Sequence, residues 1–238
     1  MINMEFQEVM TELEALSKER MKKIYMSNGA VEPVFGVATG AMKPMRKIIK
    51  KDQELAEQLY ATGNYDAMYF AGVIAEPNAM TKEDYNRWMD GAYFYMLSDF
   101  VVAVTLAEAE IGQEVANEWI NSGDELRMSA GWSSYCWMLG NRKDDQFEAA
   151  KIERLLEQAR DEIKDAPLRA QLSMNNFIFT VGLSYKPMHE RALEIADEVG
   201  IIEIVREKKK NTILNAAEKI RAEVEKDRIG FKRKYVRC

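Results

Sequence analysis

Residues 62–77 read TGNYDAMYFAGVIAEP, and the form of this stretch recurs along the chain. A small polar turn, Thr62-Gly63-Asn64, opens a run of alanine, methionine and aromatic residues that closes at Glu76-Pro77. Glycine and asparagine punctuate turns and proline ends helices, so a helix is predicted over 65–75. NSGDE at 121–125 opens a second such helix, predicted over 124–139 and closed by Gly140. EIKDAP at 162–167 opens a third, over 166–181 and closed by Gly182. The openings at Gly63, Gly91, Gly123 and Asp165 form a loose period of about 28 to 42 residues. Such a period suits stacked helix pairs of the HEAT or armadillo kind better than a compact bundle.

Working outward, helices are predicted over 53–60, over 82–89 with Thr81 as cap, and over 113–120, 145–163, 187–199 and 212–225. Near the start, Phe6, Val9, Met10, Leu13 and Leu16 keep helical spacing. A second short helix with Met21, Ile24 and Tyr25 follows from Ser17 and is stopped by Asn28-Gly29. Pro44, inside AMKPMRKIIKK, fits the first turn of a helix rather than its interior. No segment carries a convincing strand pattern.

A hydrophobic fraction of 47% beside 30% charged residues belongs to a soluble globular chain and excludes a disordered one. No apolar run reaches the roughly 18 residues that span a bilayer, because the longest candidates, Phe100 to Ala107 and Trp132 to Leu139, are too short or carry polar residues. The first residues are acidic and helically spaced, unlike a signal peptide, so a cytoplasmic location is expected. Two cysteines, Cys136 and Cys238, make neither a disulfide framework nor a zinc pattern. With a single histidine, His189, and no glycine-rich phosphate loop, no metal and no cofactor are expected.

The net charge of −6 conceals an asymmetry. Residues 206–238 hold twelve Lys and Arg against five Asp and Glu, and residues 1–51 hold nine against six. Both ends are basic and the middle is acidic, which points to a partner with a phosphate backbone. The basic candidates are Lys43, Arg46, Lys47, Lys50 and Lys51; Lys208, Lys209 and Lys210; and Lys232, Arg233 and Lys234 with Phe231 and Tyr235 interleaved. The remaining candidate is a carboxylate. Residues 88–104, WMDGAYFYMLSDFVVAV, are almost wholly apolar yet contain Asp99, with Tyr95 four residues before it. A carboxylate in such surroundings must be paired, neutralised or used. It either sits beside Tyr95 in a small site or caps a helix beginning at Phe100.

The chain also resembles a known family. The run Lys23-Ile24-Tyr25, Asn28-Gly29-Ala30, Glu32-Pro33 and Val34-Phe35-Gly36-Val37 is similar to the N-terminal signature of bacterial DNA alkylation repair proteins, the HEAT-like-repeat alkylpurine DNA glycosylase superfamily. Leu59-Tyr60, residues 63–67, residues 71–75, Met80-Thr81 and Arg87-Trp88 resemble the stretches that follow, and GFKRKYVRC resembles the basic tail of one branch. The resemblance covers nearly the whole chain. It implies an all-α fold, a right-handed α-α superhelix of HEAT/armadillo-like repeats, over 1–206, with a basic C-terminal helix and tail over 207–238. It implies double-stranded DNA, alkylated or branched, as partner, and excision of cationic N3- and N7-alkylpurines as the family chemistry. The family's Trp-x-x-x-Asp falls on Tyr95 and Asp99; its phosphate-binding arginine falls on Ser129, with Arg127 two residues earlier; its second tryptophan falls on Asn176. The expected function is therefore DNA binding with a glycosylase site partly lost. The alternatives are an active glycosylase and a helical scaffold for a protein partner.

Overall fold

The structure, a computed structural model, describes residues 4–205 and 210–236. The chain divides into two compact units, residues 1–112 and 113–238. The boundary expected at residue 206 falls on undescribed residues.

In the first unit, α1 (Phe6–Ala15) and α2 (Glu19–Ser27) lead through a loop to α3 (Lys43–Ile49), which has Pro44 in its first turn. The N-cap of α2 is Lys18, one residue past the expected Ser17. Next come α4 (Gln53–Tyr60) and α5 (Tyr65–Ile74), joined by the turn read in the opening motif. Asp52 caps α4 by accepting from the Leu55 amide, and Asn64 caps α5 by accepting from those of Asp66 and Ala67. Each cap satisfies donors that a helix N-terminus otherwise leaves orphaned. Helix α6 (Lys82–Gly91) starts at Thr81 in a reciprocal capping box with Asp84. It runs through Gly91, so Gly91 ends a helix and does not open one as the period suggested. The chain then enters α7 (Tyr95–Leu97), a widened π turn (Ser98–Val102) and α8 (Ala103–Leu106).

Aromatic rings fill this unit's core. Tyr60 stacks on Trp88 with centroids 4.2 Å apart, and Tyr65 meets Tyr25 and Phe94 edge-on. Burial pushes the Tyr25 hydroxyl up to about 12 while it donates to the Val37 carbonyl at 2.7 Å. An unfolded tyrosine ionises near 10, so between about pH 10 and 12 the unfolded chain releases a proton that the folded chain keeps. Stability is complete below pH 10 and falls through that window. We expect wild-type protein to lose about 1.4 kcal/mol per pH unit more than Tyr25→Phe there, read from denaturant melts along a pH series. Parallel curves would mean that the ring titrates freely.

In the second unit, α9 (Gly112–Ile120) packs on α10 (Glu125–Leu139) through Gly131, where an added Cβ would lie 2.7 Å from the Ala116 carbonyl oxygen. Helix α11 (Ala149–Glu162), α12 (Leu168–Ser184) and α13 (His189–Val199) follow. The most extensive helix contact is α10 on α12, with Trp132, Tyr135 and Phe177 between them. Gly182, the expected end of α12, lies inside it and admits Ile220 so closely that a Cβ would meet that side chain at 2.6 Å.

The fold is helical as expected, and it also holds two short strands that no sequence pattern announced. β1 (Ile202–Ile204) and β2 (Thr212–Leu214) pair antiparallel, with Ile202 opposite Leu214 and Ile204 opposite Thr212. The helix predicted from Thr212 begins at Ala216 as α14 (Ala216–Val224), where Asn215 accepts from the Glu218 amide. β-Branched Ile and Thr favour the pleat, but pairs this short form only against a partner strand. No helix among the described residues is long and apolar enough to cross a membrane.

Candidate nucleic-acid interface

The structure settles the local position of Asp99. Helix α7 begins at Tyr95 with Phe94 as N-cap, so Asp99 is an interior residue of a widened turn and does not cap a helix at Phe100. The reason is local. The Ser98 hydroxyl reaches back to the Tyr95 carbonyl at 3.4 Å and forward to Asp99 Oδ1 at 2.9 Å, and side-chain bonds of this kind compete with the regular helical ladder. Asp99 is 4% exposed, whereas the neighbouring Phe100 is 48% exposed. The carboxylate is therefore nearly closed to solvent while the next side chain along the turn is open to it.

Tyr95 is half-buried, and its ring meets Phe94 at 6.0 Å and Phe100 at 6.3 Å, both edge-on. Its hydroxyl donates to Asn28 Oδ1 at 2.9 Å. Asn28, the C-cap of α2, in turn donates to the Ile24 carbonyl at 2.8 Å. Tyr95, the aromatic expected to form a wall for the acid, thus packs against Phe94 and Phe100. Its hydroxyl is tied to α2, across 67 residues of sequence.

Arg20, Lys23, Ile24 and Ser27 line one face of that same helix and border a cleft of about 650 Å³. Sequence reading missed Arg20 and Lys23, although positions 20, 23, 24 and 27 follow the one-face helical spacing that could have revealed them. The basic run on α3 does gather. Lys43, Arg46, Lys47, Lys50 and Lys51 line a cleft of about 450 Å³, and Lys43, Lys47 and Lys50 project into solvent. Lys51 differs, because its ammonium donates to the Ala75 carbonyl at 2.7 Å and so closes the C-terminal end of α5.

The other predicted contacts lie in the second unit. Ser129 is fully buried, and its hydroxyl donates to the Arg169 carbonyl of α12 at 3.4 Å. A serine in that position braces two helices; no phosphate reaches a side chain without exposed surface. Arg127 lies in the first turn of α10, where its amide donates to the cap Asp124 at 2.9 Å. Asn176 is exposed on α12, between buried Asn175 and Phe177. Lys210 precedes β2 and is exposed, whereas Lys208, Lys209 and Cys238 lie outside the described residues.

The tail departs from expectation in another way. The Lys232 ammonium donates to the Leu139 carbonyl at 2.7 Å and pairs with Asp144 at 2.8 Å. The Arg233 amide donates to the Gly140 carbonyl at 2.7 Å. These bonds satisfy carbonyls that the end of α10 leaves open, where positive charge is favoured. Lys232 is a helix-terminating cation, and Arg233 and Lys234 remain exposed. His189, read as a surface residue, is tied to the Gly182 carbonyl through Nδ1 at 2.7 Å. Among the described residues no three His, Cys, Asp or Glu side chains gather as a metal would require.

Comparison with known proteins fits this architecture. Over residues 9–220 the chain matches the family described as DNA alkylation repair enzyme. Two proteins whose names call them uncharacterized, from Listeria innocua and Listeria monocytogenes, are each 29% identical over 205 residues, 84% of this chain and 88% of theirs. A solved structure matches with a TM-score of 0.95 and 66% identity, over 99% of this chain and all of that one. It is described as a new family of proteins related to the HEAT-like repeat DNA glycosylases with affinity for branched DNA structures. The fold is accordingly that of the HEAT-like repeat proteins, and the chain belongs to the DNA alkylation repair enzyme family.

Proposed function

We propose that the protein binds branched DNA through the basic faces of its helices and excises no base. The observation that carries this reading is the 66% identity, along almost the whole chain, to a protein described by its affinity for branched DNA structures. The exposed lysines of α3 and the Arg20–Lys23 face of α2 supply phosphate contacts, a sequence-independent interaction suited to reading DNA shape. The partner class is duplex DNA at a branch, and the same reading puts the protein in the cytoplasm with that DNA.

Side-chain chemistry supports the absence of excision. An alkylated purine leaves readily because it is already cationic, so a glycosylase mainly stabilises the sugar cation and positions water. Asp99 is the group for that task, but it is nearly covered and accepts the Ser98 hydroxyl. Ser129 is buried, and Asn176 offers no aromatic wall. A second reading, excision of N3- or N7-alkylpurines, is favoured by one observation, a carboxylate, Asp99, retained in the same short segment as the paired Tyr95 and Phe100 rings.

One experiment separates the two. Methylated DNA incubated with wild type and with Asp99→Asn is expected to release no 7-methylguanine above the protein-free rate, while wild type retains a four-way junction at least tenfold more tightly than linear duplex. Release that disappears in Asp99→Asn establishes the glycosylase. Equal affinity for junction and duplex removes the branch preference.

A further inference from the structure

The tail carries a feature that phosphate contacts leave unused. We propose that residues 228–235 form a stacking platform for unpaired nucleotides, built from the exposed rings of Phe231 and Tyr235 together with the Arg233 and Lys234 cations. The inference rests on the DNA-binding reading above and adds a second class of contact, with base faces.

Three observations lead there. First, the segment is fastened down. The Gly230 amide donates to the Leu183 carbonyl at 2.6 Å, the Arg233 amide to that of Gly140 at 2.7 Å, and Lys232 bonds Leu139 and Asp144. Rings carried on a fixed backbone bind with less loss of conformational freedom. Second, the rings are open. Phe231 is 40% exposed and Tyr235 is 66% exposed, well above what an aromatic retained for packing would show. Third, each ring is joined to a cation. Arg228 lies 4.6 Å from the Phe231 centroid, Lys234 lies 5.3 Å from that of Tyr235, and Arg233 lies 4.9 Å from that of Trp137.

The distribution of charge selects the occupant. Arg228 is committed to Glu223 at 2.7 Å and Lys232 to Asp144. Lys234 stands over Tyr235 itself and Arg233 over Trp137 nearby in the fold, and no carboxylate among the described residues pairs with either. Flat apolar faces beside uncompensated cations match a strand whose bases are open and whose phosphates are charged. A fully paired duplex hides its base faces and could use only the cations. Forks and flaps, which carry unpaired nucleotides at the branch, offer both.

The test uses full-length protein and an oligothymidine, with quenching of intrinsic fluorescence as the readout. Phe231→Ala with Tyr235→Ala is expected to weaken oligothymidine binding about tenfold or more per ring, with the salt slope and the affinity for linear duplex unchanged. Tyr235→Trp is expected to strengthen binding and deepen the quenching. Arg233→Gln is expected to lower the single-strand salt slope by about 0.7. Oligothymidine affinity unchanged in the alanine pair overturns the platform, as does an equal loss on duplex, or no gain with tryptophan. A polyglutamate peptide that binds as tightly as oligothymidine makes this an acidic-surface site and likewise overturns it. If wild type holds a junction yet these variants match it on oligothymidine, the platform alone has failed; if wild type holds no DNA, the underlying function has failed.

Discussion

Replacing Lys43, Lys47 and Lys50 together by glutamine is expected to weaken junction binding on the order of a hundredfold and to lower the slope of log affinity against log salt by about 2.7. Each lysine on a phosphate releases roughly 0.9 of a counterion on duplex DNA, so three contacts correspond to about 500-fold between 1 M and 0.1 M salt. Overlap among neighbouring contacts reduces that figure. The three side chains are exposed on one short helix and its C-cap and border the same cleft, so their loss leaves the core untouched. Lys232→Ala is the control with the opposite signature. Its ammonium closes the end of α10, so the variant should melt at a lower temperature with an almost unchanged salt slope. A triple variant with wild-type slope and affinity would show that the α3 face touches no DNA.

The second large effect falls on Asp66, which is fully buried in the first turn of α5. Its two oxygens accept the amides of Phe35, Gly36 and Val37 at 2.6, 2.9 and 2.7 Å, holding the loop between α2 and α3 against α5. Burial pushes the carboxyl above its usual value, against the downward pull of those three amides. Asp66→Asn replaces one acceptor oxygen by a donor that faces backbone N–H groups. The variant should lose about 3 kcal/mol, because a buried donor left unpaired costs about 1 to 3 kcal/mol. Gly36 allows no easy relaxation. It has a φ of +85°, and a Cβ there would lie 2.5 Å from the Lys22 amide nitrogen. Chemical denaturation of Asp66→Asn and wild type at neutral pH measures the difference. A loss below about 0.5 kcal/mol would mean that the loop is held by other contacts.

These two expectations stand at opposite distances from the sequence. The basic cluster at α3 was legible, because five cations fall within nine residues, three of them on the short helix and two just past its end, too close in sequence to part. The Asp66 anchor was not, because its acceptors and donors are about thirty residues apart and nothing near Asp66 distinguishes it from a helix-initiating acid. Asp99 falls between. Its apolar neighbours announced burial, but Ser98-Asp99 reads equally as cap or interior until the Phe94 N-cap and the upstream bonds are known.

The sequence by itself determined the succession of helices, because apolar spacing and the caps Asp52, Asn64, Thr81 and Asp124 act within four residues. It also determined the family, through ordered motifs spread along the chain. Only the tertiary structure decided which charged residues remain for a partner. Lys51 and Lys232 close helix ends far away in sequence, Ser129 braces α10 against α12, and Tyr95 is tied to Asn28. Two three-residue strands likewise exist only in each other's presence. Helices and caps arise from neighbours along the chain. The fate of a hydroxyl, an ammonium or a carboxylate depends on which distant backbone groups packing brings within about 3 Å.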